Sequence, residues 1–319
     1  RCKSTNLPKN SPSFDQQSET LEKERQMATE EKDYILYEID NRIGTVTINR
    51  PEALNSLCWP LMEKLKETLL AAEKDPEVGV IILRGAGRCF SAGYDFTEGD
   101  PVEMKRGEGP AEGTHEPRGV PQYGRGVWNS RAHVQDHINY DQLIFNLWKP
   151  VIAQVHGFAY AGASTLALAC DLTIMASDAK LGYPPTRWLA TGDNVGLYSF
   201  LAGLKKAREM SYGRMFDGKQ CVEYGLANYH YPEDELAERT LEIAREIAAI
   251  EPELLMLNKM VVNRTWEIMG LRTAMEVAGE FDTICHLAHT TKPLVDQLKA
   301  TDGNLRQALK NLNAPWGGL

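Results

Sequence analysis

The chain has 319 residues, of which 43% are hydrophobic and 25% are charged, and its formal net charge is −9. That composition is typical of a globular protein with one large domain or two small ones, and no apolar run reaches the roughly 18 residues needed to span a bilayer. The acidic balance disfavours nucleic-acid binding, and the six dispersed cysteines lack a C-x-x-C pair, which indicates reduced thiols, as in the cytoplasm, and not a zinc site or a disulfide framework.

The first elements along the chain are a polar segment and a β-hairpin. Residues 1–26 are rich in Ser, Lys, Glu and Gln without apolar periodicity, and they are predicted to be a dispensable tail or leader before Met27. Tyr34–Asp40 and Gly44–Asn49 are apolar or alternating runs on either side of an Asn-Arg turn. This pattern predicts two antiparallel strands.

The rest of the chain alternates short apolar runs with helical periodicity and then becomes mostly helical. Strands are predicted at Gly79–Leu83, Val151–Val155 and Leu172–Met175. Helices are predicted at Leu61–Lys74, Ala132–Leu147, Ala163–Cys170, Ser199–Arg208, Glu235–Ile250, Leu254–Met269, Leu271–His286 and Pro293–Leu312. Residues 99–130 are rich in Gly, Pro and charge, which indicates a lid-like insertion. The order predicts an α/β core over 27–230 and a C-terminal helical subdomain over 231–319.

Three segments carry the chemistry. They are Asn49–Asn55 (NRPEALN), Arg88–Phe96 (RCFSAGYDF) and Lys149–Asp171 (KPVIAQVHGFAYAGASTLALACD). In the last two, a strand ends in a glycine turn that opens a helix, and such a turn exposes backbone N–H groups without a partner inside the helix. Two of these groups aimed at one point stabilise the oxyanion that forms on a thioester carbonyl. Taken singly, each turn is equally explained by tight strand-to-helix packing.

Together these segments resemble the crotonase superfamily, over roughly residues 33–290. The resemblance implies a spiral of ββα turns assembled as a homotrimer or as a hexamer of two trimers. It places Tyr94 and Gly162 at the two oxyanion-hole positions. It implies an acyl-CoA substrate, with coenzyme A as part of the substrate and no separate cofactor or metal, and neither nucleic acid nor membrane as partner. Eight further positions are expected at the substrate: Ala53, Leu54, Ala92, Gly93, Asp95, Ala161, Thr165 and Pro185.

The match to typical hydratases fails at their two glutamates. Thr165 stands where the first is expected, and Pro185 stands where the second is expected. Threonine is a poor general base at neutral pH and proline cannot act as one. The oxyanion hole needs only backbone, so it is retained while two-glutamate hydration is not expected.

Three side chains are candidates to replace the missing carboxylates. Asp193 lies in a loop where some relatives have a catalytic aspartate, but it is equally placed to cap the helix that follows. His133 and His137 share one helix face and could enter the acyl pocket or bind a metal, or they could be a solvated polar face. His156 is interpreted as a structural hydrogen-bonding residue.

Three functions remain open at this point. The first is an acyl-CoA lyase or isomerase of the enoyl-CoA hydratase/isomerase class that acts through an enolate-like intermediate. The second is a CoA-thioester hydrolase or dehalogenase that uses Asp193. The third is a non-catalytic paralogue that binds acyl-CoA or RNA, the latter disfavoured by the acidic charge.

Overall fold

The computed structural model describes residues 33–95, 127–192, 195–287 and 292–317. Among these described residues, nine strands form two sheets. In chain order the strands are β1 (Ile35–Asp40), β2 (Ile43–Ile48), β3 (Val80–Gly85), β4 (Val151–Val155), β5 (Phe158–Tyr160), β6 (Leu172–Ala176), β7 (Lys180–Gly182), β8 (Met215–Asp217) and β9 (Tyr229–Tyr231).

The larger sheet has the order β1-β2-β3-β4-β6-β9 and is parallel except for the first pair. β1 and β2 form the predicted hairpin, whose turn residues Asn41 and Arg42 have φ of 48° and 65°. Two successive residues with positive φ are typical of the tight turn whose twist matches the hairpin. β3 and β4 are almost entirely buried, as expected for parallel strands covered on both faces.

The helices are bounded as follows: α1 (Trp59–Lys74), α2 (Val127–Asn146), α3 (Gly162–Leu168), α4 (Leu197–Ser211), α5 (Gly218–Glu223), α6 (Glu233–Ala248), α7 (Pro252–Ile268), α8 (Leu271–Leu287), α9 (Lys292–Ala300) and α10 (Leu305–Asn313). α1 packs on β1 and β2, and α6 packs across β2, β3, β4 and β6. α2 lies along α8 and also contacts α3, so it joins the C-terminal helices to the core. In the described part of the chain, no helix combines the length and apolarity that a bilayer crossing requires.

Several boundaries differ from the sequence-based expectation. The helix predicted over 293–312 is two helices, α9 and α10, because Asp302 and Gly303 adopt φ of 49° and 81° and end the first one. α2 begins at Val127, so the last residues of the predicted insertion are helical. The small sheet β5-β7-β8 was not predicted, because three-residue strands carry too little periodicity to be seen.

Candidate active site

The candidate site lies where the segments that follow β3 and β4 pair with each other. Phe90 N–H donates to the His156 carbonyl at 3.0 Å. Ser91 then forms a parallel bridge with Ala159, which continues the contact beyond the ends of the strands. The His156 ring nitrogen Nε2 lies 2.8 Å from the Gly87 carbonyl, which confirms its structural role. Two segments about 65 residues apart in sequence therefore enter the site side by side.

The first turn exposes the amide of Tyr94. Gly93 has φ of +94°, a conformation that favours glycine. Its carbonyl accepts from Leu57 N–H at 2.8 Å, and Asp95 N–H donates to the Leu57 carbonyl at 3.2 Å. This is the bonding of an isolated parallel bridge between Leu57 and Tyr94, so the Tyr94 N–H points away from Leu57.

The second turn opens α3 at Gly162. Ala161 precedes the helix with φ of 51°, and Gly162 is its first residue, whose N–H has no partner within the helix. A Cβ placed on Gly93 would lie 3.4 Å from Gly162 N and only 2.6 Å from the Tyr160 carbonyl oxygen. The two turns are thus in direct contact, and the expected oxyanion-hole positions Tyr94 and Gly162 are brought together.

A buried polar network holds the first turn. Arg50 and Asp95 form a buried ion pair that ties the NRPEALN segment to this turn. Asn55, with φ of 54°, donates through its side-chain amide to the Cys89 carbonyl at 2.9 Å. The Ser91 hydroxyl donates to the Asn55 carbonyl at 2.7 Å and accepts from Gly93 N–H at 3.1 Å. These buried hydrogen bonds and the ion pair hold the turn in one conformation.

The Tyr94 ring lies between Gly162 and His137. A Cβ on Gly162 would come within 2.2 Å of the Tyr94 ring, so only glycine permits this approach. The His137 ring stacks on Tyr94 with centroids 3.8 Å apart and on Trp59 at 5.4 Å, and His133 contacts His137 edge-on at 4.5 Å. Both histidines therefore lie in an aromatic cluster beside the oxyanion site and are not a solvated face. Within the described ranges, no group of three or more His, Cys, Asp or Glu side chains is arranged to hold a metal.

A small, partly open cleft with room for about one water molecule lies beside this cluster. It is lined by Leu57, Cys58, Trp59, Met62, Tyr94, Asp95 and His137. Most of these side chains are apolar or aromatic. The cleft adjoins Tyr94, one of the two expected oxyanion-hole positions.

Thr165 and Pro185 are both buried, and neither supplies a base. The Thr165 hydroxyl donates to the Gly162 carbonyl at 2.9 Å. Pro185 lies in a short 3-10 helix, Pro184–Arg187, and its carbonyl accepts from the Leu189 N–H at 2.7 Å. That Thr165 and Pro185 stand in the places of the two hydratase carboxylates stays a prediction.

One carboxyl that the sequence reasoning missed lies beside Thr165. Asp141 on α2 is 1% exposed, and neither of its side-chain oxygens has a hydrogen-bond partner among the described residues. Burial raises the pKa of Asp141 to about 8, and the nearby Thr165 hydroxyl lowers it by a smaller amount. That hydroxyl has one proton, which it directs at the Gly162 carbonyl, so it does not donate to the ionised carboxylate.

The sequence contained a signal for Asp141. It falls on the face of α2 formed by Val134, Ile138 and Ile144, each no more than 2% exposed. A carboxylate at a core position of an amphipathic helix is costly and unusual. Burial, followed by the charges of Asp141, Asp282 and Tyr140, raises the pKa of the Tyr94 phenol well above its ordinary value. These four side chains therefore belong to one region of the structure.

The other expected substrate positions divide into backbone and side-chain cases. Ala92 N–H donates to the Leu54 carbonyl at 3.0 Å, and Leu54 has φ of 57°, so these two segments are adjacent. Ala53 lies in the 3-10 turn just before Leu54. The Asp95 carboxylate is engaged by Arg50 and by the Ser56 hydroxyl at 3.2 Å, so only its backbone remains for a ligand.

Asp193 lies outside the described residues. The helix that follows it, α4, begins at Leu197 with Gly196 as its N-cap residue, so the expectation that Asp193 caps this helix is wrong. The chain just before Asp193 is anchored by Asp282 on α8, which accepts from the Thr191 N–H at 2.8 Å and the Thr191 hydroxyl at 2.9 Å. Cys89, Cys170 and Cys221 are free thiols.

Known proteins provide an independent comparison. A family model for enoyl-CoA hydratase/isomerase matches residues 43–314. The chain is 31% identical over 244 residues to a probable enoyl-CoA hydratase of Rhizobium meliloti, which covers 75% of this chain and 85% of the relative.

Solved structures agree with this match. An enoyl-CoA hydratase/isomerase from Xanthobacter autotrophicus Py2 has a TM-score of 0.76 and 31% identity, covering 88% of this chain and 98% of that one. An enoyl-CoA hydratase from Mycobacterium smegmatis has a TM-score of 0.77 and 27% identity, covering 89% and 94%. These likenesses confirm the predicted crotonase-like core with its C-terminal helical region. The chain belongs to the enoyl-CoA hydratase/isomerase family of the crotonase superfamily.

Proposed function

We propose that the protein is an acyl-CoA thioester enzyme that stabilises an enolate or oxyanion with the backbone N–H groups of Tyr94 and Gly162. The observation that carries this proposal is the contact between the two glycine turns. A Cβ placed on Gly93 would lie 3.4 Å from the Gly162 nitrogen. Family membership supports it, because relatives at about this similarity are named as enoyl-CoA hydratases.

In this mechanism the thioester oxygen accepts from both amides. Negative charge moves onto that oxygen when the α-carbon loses a proton or the carbonyl is attacked. Donors held in place before the reaction need no reorganisation, and removing one such donor typically costs about 2.7–4 kcal/mol of activation free energy. The first turn is held by Asn55, Ser91 and the Arg50–Asp95 pair, which supplies that preorganisation.

Ordinary hydration of crotonyl-CoA should be weak. Thr165 donates its proton to a backbone carbonyl and Pro185 has no ionisable group, so neither activates water. Positioned acid–base groups contribute roughly 10²–10⁴-fold each. Isomerisation or cleavage through an enolate requires fewer such groups and is the reaction type we favour.

A panel of acyl-CoAs tests the proposal. Binding is measured by isothermal titration with acetyl-CoA, butyryl-CoA and crotonyl-CoA, and the products are identified by mass spectrometry. A rearranged or cleaved acyl chain supports the enolate proposal. Binding without any product and without deuterium exchange in D₂O indicates a non-catalytic acyl-CoA-binding protein, and absence of binding to all three thioesters contradicts the proposal.

The same panel tests the second candidate, a CoA-thioester hydrolase or dehalogenase that uses Asp193. This candidate is kept because Thr191, two residues before Asp193, is hydrogen-bonded to Asp282. The charge of Asp282 also raises the pKa of the Tyr94 phenol. Release of free CoA from the panel, or of halide from a halogenated acyl-CoA, favours this candidate.

We also infer a homotrimer or a dimer of trimers that buries one face of α7 and α8. α7 exposes Leu254, Leu257 and Val261 at helical spacing, and α8 exposes Phe281 and Ile284, each more than half accessible. Light scattering after size exclusion should give a trimer or hexamer mass. Val261→Asp should lower that mass. Leu204→Asp, at an exposed leucine on α4, is the control and should leave the mass unchanged. A monomeric wild-type protein contradicts the inference.

A further inference from the structure

We infer that the Asp141 carboxyl is the proton-transfer group of this site, contacting the acyl carbons next to the thioester held by Tyr94 and Gly162. This inference rests on the proposed function and names the acid–base group that Thr165 and Pro185 do not provide. It assigns the role to α2, an element that lies apart in sequence from both glycine turns.

Stability does not explain an aspartate at this position. Asp141 occupies the same buried face of α2 as Val134, Ile138 and Ile144, and both its oxygens lack hydrogen-bond partners among the described residues. A buried polar group without a partner costs free energy, and a charged one costs more. A leucine or asparagine at position 141 would avoid the cost of the charge, so the carboxyl is retained for a reason other than packing.

The carboxyl is within reach of an acyl chain in the oxyanion hole. The carboxyl lies next to Thr165. Thr165 is three residues after Gly162 on α3, which is roughly one helical turn, or about 5 Å, from the donating Gly162 amide. A thioester oxygen bound to Gly162 N–H places the next carbons of the acyl chain within a few ångströms of that amide. Threonine is shorter than the glutamate of typical hydratases, and the α2 carboxyl lies beside it.

The titratable groups in the region of Asp141 are Tyr94 from the first turn, Cys170 just after α3, Asp282 on α8, and His137 and Tyr140 on α2 itself. From α1, Glu63 accepts from the Tyr140 hydroxyl at 2.9 Å. No described lysine or arginine lowers the pKa of Asp141, which burial raises to about 8. The group can therefore hold a proton near neutral pH and can also give it up.

The step balances without any further reactant. The Asp141 carboxylate takes a proton from the carbon next to the thioester carbonyl, so a C–H bond breaks and an O–H bond forms. The C–H electron pair becomes the new carbon–carbon π bond, and the carbonyl π pair moves onto the thioester oxygen between the two amides. Return of the proton to the same carbon restores the thioester, and its return two carbons further along an unsaturated chain isomerises the double bond.

Deuterium exchange measures this step directly. Butyryl-CoA has hydrogens on its α-carbon, and crotonyl-CoA loses a γ-hydrogen to the carboxylate to give the dienolate, which is the reverse of the isomerisation. Both are incubated with the full chain in D₂O, and incorporation is followed by mass spectrometry against a protein-free blank. Wild-type protein should incorporate deuterium at a rate that rises with pH up to about 8 and then levels, since the carboxylate is the reactive form. Asp141→Asn should lower the rate by roughly 10²–10⁴-fold and abolish that rise. Asp296→Asn, at an exposed carboxylate on α9, should behave as wild type.

Titration with butyryl-CoA separates the two ways of failing. An Asp141→Asn variant that binds butyryl-CoA as wild type does and exchanges at the wild-type rate overturns the inference and leaves the proposed function intact. So does wild-type protein that binds both thioesters but exchanges no deuterium. Wild-type protein that binds neither overturns the proposed function and the inference with it. If the variant fails to fold, a wild-type exchange rate that is constant from about pH 6 to about pH 9 overturns the assignment.

Discussion

Replacing Asp141 with asparagine should change how the stability of the protein depends on pH. Burial raises the pKa of this carboxyl from 3.8 to about 8 in the folded protein. The folded state therefore keeps a proton that the unfolded chain loses between those values. The contribution of protonated Asp141 to stability is complete below pH 3.8 and is lost progressively as pH rises towards 8. Asparagine has nearly the same shape and does not titrate, so the variant lacks this loss.

The size of the effect follows from the shift. One pKa unit corresponds to about 1.36 kcal/mol, so between about pH 5 and about pH 8 the wild type should lose ~4 kcal/mol relative to the variant. A buried amide without a partner costs about 1–3 kcal/mol, but the protonated acid has a similar cost at low pH. The way in which the difference in unfolding free energy between wild type and Asp141→Asn changes with pH therefore reports the cost of burying the charge.

Urea unfolding followed by tryptophan fluorescence measures this difference at a fixed protein concentration. Wild type, Asp141→Asn and the exposed-site control Asp296→Asn are compared at several values from about pH 5 to about pH 8. The control should follow the wild type at every pH. If the unfolding free energies of wild type and Asp141→Asn differ by an amount that stays constant with pH within about 1 kcal/mol, solvent or a partner group compensates the carboxylate. The pKa shift attributed to burial would then be wrong.

Three further substitutions test the rest of the site. Gly162→Ala places a Cβ 2.2 Å from the Tyr94 ring and should reduce acyl-CoA turnover strongly. Gly79→Ala is the control, because its nearest contact is the flexible end of a side chain at 3.3 Å, and it should leave turnover unchanged. Equal turnover by the two variants would contradict the close approach of Tyr94 to Gly162. Arg50→Met leaves the buried Asp95 carboxylate uncompensated and should lower the free energy of unfolding in urea by about 3–5 kcal/mol. A decrease below about 1 kcal/mol would count against that ion pair. Asp193→Asn should leave turnover of the acyl-CoA panel unchanged under the enolate proposal, and a loss of activity would favour the hydrolase or dehalogenase that uses Asp193.

Local patterns in the sequence were sufficient for the elements with strong periodicity. The strand Val151–Val155 was predicted at its observed bounds, and the hairpin of β1 and β2 followed from two short runs around a turn. The break between α9 and α10 was missed, because a helical pattern continues through Asp302-Gly303 while the backbone there is left-handed. The β5-β7-β8 sheet was missed because its pairings join residues far apart in sequence.

The sequence by itself identified the family and the two glycine turns, and it predicts that the two hydratase carboxylates are absent from positions 165 and 185. These are statements about residue types at fixed spacing, and backbone N–H groups at a turn depend on local conformation that glycine permits. Only the tertiary structure decided that Tyr94 lies against Gly162, that His137 stacks on Tyr94, and that Asp141 lies beside Thr165. The reason is physical: burial and the close approach of groups set a carboxyl's pKa, and both arise from the packing of α2 against α3 and α8, which no local pattern encodes.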